Sequence, residues 1–249
     1  MTRQNILITG ASSGLGKGMA IEFAKQGRNL ALCARRLDNL ELLKKELLEV
    51  NPNIQVLIKS LDVNDHDAVF TVFDEFKTEM GQLDRVIINA GMGKGASIGT
   101  GYFQANKQTA ETNFVAALAQ AEAAMQIFRA QNEGHLVTIS SISAVRGFRR
   151  AMTVYAATKA ALTSLSEGIR VDVMGTPIKV SCVHPGFIRT ELNETVKTVP
   201  FIVDSETGCK ALVKAIDKEK ANSFVPGWPW SIVQLFLRIV PASMLRKMS

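Results

Sequence analysis

Short apolar runs alternate along the chain with longer stretches in which apolar residues recur every three or four positions. The runs are 5–9, 29–34, 54–58, 85–88, 135–139, 178–183 and 223–225, and each predicts a strand. Helical spacing occupies 14–26, 37–50, 65–80, 106–131, 153–174 and 205–217. The runs are mostly continuous stretches of apolar residues without regular polar alternation, as expected of strands covered on both faces. Strand–helix alternation predicts a parallel sheet between two helical layers. Right-handed crossovers and a glycine-rich turn after the first strand favour the doubly wound, dinucleotide-binding order of about seven strands. No Pro/Gly/Ser-rich linker divides the sequence, so 1–249 is expected to form a single Rossmann-type α/β domain.

The tail from 224 breaks this rhythm. Residues 224–242 are strongly apolar and hold both tryptophans, Trp228 and Trp230, with Gln234 and Arg238 as interruptions and Pro226, Pro229 and Pro241 as punctuation. The segment is too short and too broken for a spanning helix. Packing on the core or on a sister subunit is the expectation, and a helix lying on a membrane surface is the alternative.

Composition narrows the function classes. An apolar fraction of 47% and a charged fraction of 21% are those of an ordinary globular protein. No fixed-period repetition supports a solenoid or propeller. The net charge of +6 comes from scattered Lys and Arg without aromatic clusters, which argues against nucleic-acid binding. Cys33, Cys182 and Cys209 are isolated, so neither a metal site nor a disulfide framework is expected. A reducing, cytoplasmic setting follows, with no leader expected ahead of the first strand.

Candidate chemistry begins at the first turn. Gly10, Ala11, Ser12, Ser13, Gly14, Leu15 and Gly16 join the first strand to the first helix. Glycines allow close backbone approach, and a helix N-terminus offers free N–H groups and a positive dipole end to a phosphate. The second strand ends on Arg35 and Arg36, with no acid before Asp38. An NAD site usually has an acid there for the ribose 2′-hydroxyl. Two arginines suit a 2′-phosphate instead, so NADP(H) is the expected cofactor. Asp62-Val63 and Asn89-Ala90-Gly91 follow the third and fourth strands, at the sheet edge where such ligands bind.

Tyr155 and Lys159 are four apart on one helix and therefore share a face. A free phenol titrates near 10, too high for ready proton exchange at neutral pH. An ammonium about 4 Å away contributes roughly 4 kcal/mol at an effective dielectric of 20. At about 1.4 kcal/mol per unit, that would lower the phenol by up to about three units. The pair predicts a general acid/base. Ser140-Ser141 closes the fifth strand, and Asn113 lies in the long helix after the fourth.

Together these motifs resemble the short-chain dehydrogenase/reductase family, in order and over nearly the whole chain: TGASSGLG from Thr9, Asp62-Val63, Asn89-Ala90-Gly91, Asn113, Ser141, Tyr155/Lys159 and Pro185-Gly186. One departure is Ile88, where the family's NNAG has its first Asn. The resemblance implies an NADP-dependent carbonyl reductase or alcohol dehydrogenase with Asn113, Ser141, Tyr155 and Lys159 as its catalytic set. Tyr155 would move the proton, Ser141 would hold the substrate oxygen, and Lys159 would bind the nicotinamide ribose and depress the Tyr155 pKa. Asn113 would hold a water leading from Lys159, and Pro185, Gly186, Ile188 and Thr190 would place the carboxamide. Ser141 is chosen by register, with Ser140 and Ser143 as alternatives.

The substrate segment is expected at about 187–204, with Phe187, Leu192, Val196, Val199, Phe201 and Ile202 favouring an apolar carbonyl compound. The four-glycine stretch 92–101, with Lys94, is either the facing wall or a flexible connector. A homodimer or homotetramer is expected. The rival reading is an NADP-binding sensor or scaffold without catalysis.

Overall fold

In the computed structural model, residues 3–190 and 200–248 are described. Seven parallel strands form one sheet in the order β3-β2-β1-β4-β5-β6-β7. They are β1 (Asn5–Thr9), β2 (Asn29–Ala34), β3 (Val56–Ser60), β4 (Arg85–Ile88), β5 (His135–Ile139), β6 (Lys179–Pro185) and β7 (Asn222–Val225). The order reverses between β1 and β4, which pair directly through Ile6↔Arg85 to Ile8↔Ile87. The doubly wound expectation therefore holds. The crevice at that reversal is where open α/β sheets bind ligands.

Side-chain alternation explains the continuous apolar runs. Ile6 and Ile8 enter one core, while Leu7 between them enters the other. Helices α1 (Gly14–Lys25), α2 (Leu37–Val50) and α7 (Ser205–Ile216) cover the first face, and α3 (His66–Met80), α5 (Ala116–Gln131) and α6 (Met152–Asp172) the second. All three cysteines are buried thiols.

Several boundaries moved by one or two residues, two of them for reasons visible in hydrogen bonding and register. Asp65 lies outside α3 as its N-cap, accepting a hydrogen bond from the Ala68 amide at 3.1 Å. β3 runs later than 54–58 because its register with β2 pairs Leu30 with Val56 and Ala34 with Ser60.

The long helix expected over 106–131 is three pieces: α4 (Phe103–Ala110), a π-helical turn (Glu111–Val115) and α5. In the turn, the Ala116 amide donates to the Glu111 carbonyl, five residues back. Periodicity does not register one inserted residue, and such turns are frequent at functional sites.

At the other edge of the sheet, Arg85 is 2% exposed. Its Nε donates to His135 Nδ1 at 2.9 Å, and its Nη1 lies 2.7 Å from Asp217. His135 Nε2 meets Ser181 Oγ at 2.8 Å. Arg3 joins this cluster through Glu219 and Glu133. Each buried polar group has a partner, as a buried charge requires. The cluster ties the chain's start to the α7–β7 connection.

Candidate active site

The first turn is shaped by contacts that leave no room for side chains. Gly10 has φ +64°, and a Cβ there would lie 2.8 Å from the Ala90 Cα. A Cβ on Gly16 would collide with the Gly10 carbonyl and come within 2.7 Å of Asn89 Nδ2. Hydrogen bonds join the two turns. Asn89 Nδ2 donates to the Thr9 carbonyl at 2.9 Å, and the Asn89 and Ala90 amides both donate to Thr9 Oγ1 at 3.1 Å. Arg36 caps this region from the second strand's end. Its guanidinium donates to Ser12 Oγ at 3.2 Å and Ser13 Oγ at 2.6 Å. Arg35 beside it is exposed. α1 starts after Ser13, whose side chain makes no capping bond and whose first turn carries no acid. The uncapped helix end, the glycine turn and the Arg36 cation are thus close together, a donor set that suits a dinucleotide phosphate. Leu15 packs on the core of this face.

Asp62 turns its carboxylate onto its own loop, accepting from the Asn64 amide at 3.0 Å and from Asn64 Nδ2 at 2.9 Å. Val63 is buried beneath it. Pro185 ends β6, and the Gly186 amide donates to the Val225 carbonyl at 2.8 Å. A Cβ on Gly186 would strike the Trp230 indole. Ile188 is buried and bridges to Val203. Thr190 approaches Gly14, its Cβ 3.8 Å from where a Gly14 Cβ would be. Of the substrate segment, Leu192, Val196 and Val199 lie outside the described residues. Phe187 and Phe201 both stand edge-on to Trp230, at 5.4 and 6.1 Å between ring centres.

The catalytic candidates converge. Lys159 is 5% exposed, and its Nζ donates to the Ile139 carbonyl at 2.8 Å and lies 5.9 Å from the centre of the Tyr155 ring. The Ser141 hydroxyl is near enough to the Tyr155 phenol to favour its ionised form. A Cβ on Gly91 would lie 3.2 Å from Asn113 Oδ1 and 3.5 Å from Lys159 Nζ, and one on Gly93 3.9 Å from Tyr155 Cδ2. The turn after β4 therefore passes between Asn113 and Lys159 and reaches the phenol. Asn113, in the π-helical turn, holds it there: its Oδ1 accepts from the Met92 amide and its Nδ2 donates to the Met92 carbonyl, both at 2.8 Å. The stretch 92–101 is pinned further along. Asn106 Oδ1 accepts from the Ala96 amide at 3.1 Å, and Thr109 bonds the Lys94 carbonyl.

The serines divide their work. Ser140 Oγ donates to the Lys159 carbonyl at 2.9 Å and meets Thr163 Oγ1 at 2.9 Å, so it braces α6 from behind. Ser141 faces Tyr155. Ser143, left open as an alternative by register, donates to Ser141 Oγ at 3.0 Å. Sequence reasoning also missed Thr158, whose hydroxyl joins Asn113 Nδ2 (3.3 Å) to the Tyr155 carbonyl (2.7 Å). Its place on the turn between Tyr155 and Lys159 was the available signal.

One electrostatic expectation is corrected. The Tyr155 pKa lies above 10: burial of the phenol raises it, and the Ser141 hydroxyl only partly offsets this. Lys159 does not supply the expected depression. Its own ammonium is buried and moves down to about 8, with a small opposing effect from Cys182, and its nitrogen is directed at the Ile139 carbonyl. Desolvation dominates both shifts, and no Coulomb attraction between the two side chains enters either. Behind Lys159, burial raises the Cys182 thiol, but His184, Thr138 and Thr163 together bring it below its ordinary value.

A family model described as short chain dehydrogenase matches residues 4–200. The chain belongs to the short-chain dehydrogenase family. An uncharacterized oxidoreductase of Mycobacterium tuberculosis is 49% identical to this short-chain dehydrogenase over 99% of its chain and 98% of the relative. An NADP-dependent 3-hydroxy acid dehydrogenase of Schizosaccharomyces pombe is 34% identical over 76% of this chain and 73% of that one. Among solved structures, levodione reductase superposes with a TM-score of 0.83 at 23% identity, covering 93% of this chain and 99% of its own, a likeness of fold. This short-chain dehydrogenase is therefore an oxidoreductase with a nucleotide-binding Rossmann sheet.

Proposed function

We propose that this protein is an NADP(H)-dependent oxidoreductase that interconverts a ketone or aldehyde and a secondary alcohol, with Tyr155 as general acid and base. The observation that carries the reading is the convergence of Asn113, Lys159 and Tyr155 on the turn at Gly91 and Gly93, with Ser141 beside the phenol.

The residues present fit a dinucleotide, since α1 opens with no side-chain cap and no acid in its first turn, and Arg36 stands over Ser12 and Ser13 beside it. Gly10, Ser12, Ser13, Gly14, Leu15 and Gly16 would hold its phosphates, and Arg35 and Arg36 a 2′-phosphate. Asp62 and Val63 would lie at its adenine, and Asn89, Ala90 and Gly91 along its ribose. Pro185, Gly186, Ile188 and Thr190 would hold the carboxamide end. When bound, the cofactor supplies or accepts the hydride.

Every other step belongs to side chains. In reduction, the Tyr155 hydroxyl gives its proton to the substrate oxygen as negative charge develops there. The Ser141 hydroxyl donates to the same oxygen and stabilises that charge. Lys159, its Nζ held on the Ile139 carbonyl, would bind the nicotinamide ribose. Asn113 keeps the turn at Met92 in place, and with it the wall facing Tyr155. A phenol held above 10 is a proton donor at neutral pH, which favours the reducing direction. The edge-on rings of Phe187, Phe201 and Trp230 support an apolar substrate, and the S. pombe relative, NADP-dependent by name, supports the cofactor.

The test is steady-state kinetics over a panel of apolar ketones and aldehydes with NADPH and with NADH. A kcat/KM at least about tenfold higher with NADPH, or roughly 1.4 kcal/mol of discrimination, is expected. Equal efficiency, or a preference for NADH, overturns the cofactor reading, and no turnover with either overturns the enzyme.

A further inference from the structure

Helix α8 (Gly227–Ile239), followed by α9 (Ala242–Met248), is apolar on two opposite sides. Its inner side is spent on the fold. Trp230, Leu237, Val240 and Leu245 are buried with Ile142 in a small third core, and Arg146 donates to the Leu237 and Val240 carbonyls, tying the helix end to the segment after Ser141. Its outer side carries Ile232, Leu235, Phe236 and Ile239, at the i, i+3, i+4, i+7 spacing of a single stripe, all exposed and Ile239 at 80%. Trp228, 77% exposed, and Met244 are further exposed apolar side chains before and after it in the sequence. Single exposed apolar residues need no explanation, but a stripe of four on the helix side away from the core marks an interaction surface.

Charge identifies the partner. From Lys220 to Ser249 the sequence has no Asp or Glu, and it has four basic residues, Lys220, Arg238, Arg246 and Lys247. Arg238 and Arg246 are exposed. Arg246 and Arg149 line a depression of about 360 Å³ beside α9, with Phe148 and Leu245 on its walls. The Arg149 Nε in that depression is buried without a hydrogen-bond partner. No described helix is long and apolar enough to cross a membrane. A symmetric contact with a second copy would bring each basic patch against itself, with no acid in the segment to pair with it. An anionic lipid surface takes both features at once: acyl chains receive the stripe and phosphates meet the arginines.

We propose that α8 and α9 dock this protein onto the surface of an anionic bilayer, with Trp228 and the stripe from Ile232 to Ile239 in the headgroup–acyl boundary and Arg149, Arg238 and Arg246 toward lipid phosphates. The inference does not depend on the catalytic reading. The test is cosedimentation of the full chain with vesicles of phosphatidylcholine alone and with about 30% phosphatidylglycerol added. Binding to the anionic vesicles is expected, accompanied by a blue shift of tryptophan emission that Trp228→Phe reduces. Arg238→Gln with Arg246→Gln should weaken binding on the order of thirtyfold, at about fivefold for each cation. Ile239→Asp should abolish binding without lowering Tm, because that side chain touches no core. The proposal is overturned if the chain ignores both vesicles, or binds them equally after Ile239→Asp. It is also overturned if Ile239→Asp halves the mass seen by light scattering while vesicle binding is absent, since a second copy then covers the stripe.

Discussion

Ser143 donates twice to Ser141, through its hydroxyl at 3.0 Å and its amide at 3.2 Å. A serine hydroxyl has two acceptor sites and one proton. With both acceptors filled, the Ser141 proton is left to donate, and Tyr155 lies in its direction. Ser141→Ala should lower kcat by roughly 10²- to 10³-fold, the usual loss for a donor to a developing oxyanion. Ser143→Ala should lower kcat by about tenfold, because Ser141 keeps its proton but loses its orientation. Ser140→Ala should do the reverse, costing about 1 kcal/mol of stability and little activity. Stopped-flow rates beside thermal melts for the three variants would show whether the serines divide in this way, and a collapse of kcat in Ser140→Ala alone would move the role to its neighbour.

Buried Lys159 carries a stability cost that its replacement should reveal. The folded-state pKa of about 8 lies below the ordinary 10.5, so below pH 8 the native state holds a charge that the unfolded chain solvates better. The penalty is full there and fades as pH rises from 8 to 10.5. It is on the order of 3 kcal/mol, against about 1 kcal/mol for the lost bond to the Ile139 carbonyl. Lys159→Met should therefore be inactive yet melt about 5 °C above the parent at pH 7, with the gap narrowing toward pH 10. A lower Tm at pH 7 would show that the ammonium stabilises the fold.

Tyr155→Phe should abolish turnover while leaving NADPH affinity, followed by fluorescence titration, near that of the parent. The phenol is held above 10, so reduction should persist through neutral pH and fall only in alkali, while alcohol oxidation should climb as pH rises. Residual activity above a few per cent of the parent, or oxidation already at a plateau by pH 7, would contradict this assignment.

Arg36 bonds both serines of the first turn. Arg36→Ala should raise KM for NADPH by about 10- to 100-fold, the worth of a charge-assisted contact, and leave KM for NADH within about twofold. Equal changes for the two cofactors would point to a general loosening of the Ser12-Ser13 turn.

The cluster under the sheet predicts acid sensitivity. Burial, and then the charges of Arg85 and Arg3, hold His135 well below 6.5. As pH falls below 6.5, the unfolded chain takes up a proton that the native state refuses, so stability declines. His135→Asn should flatten the fall in Tm between pH 7 and 5. Asp217→Asn should cost about 2 kcal/mol, less than for a fully buried pair because Glu219 remains 3.6 Å from Arg85.

Strand and helix identities were legible because burial on both faces forces continuous apolar runs in β1, β2, β4 and β5, and because the turn at Gly10 admits no side chain. The motif spacing likewise announced Tyr155, Lys159 and Asn113. The chain alone could not show that an extra residue in the Glu111–Val115 turn lets Asn113 clamp Met92, since periodicity averages over a one-residue insertion. Register pointed to Ser141 over its neighbours, but only the packing shows that Ser140 turns to Lys159 and Thr163 behind the helix. The direction of the Tyr155 shift was also beyond the chain alone. Spacing along a helix measures how close a cation can come, but only the packed structure decides where its nitrogen points and how much water both groups lose, and here that loss dominates both shifts.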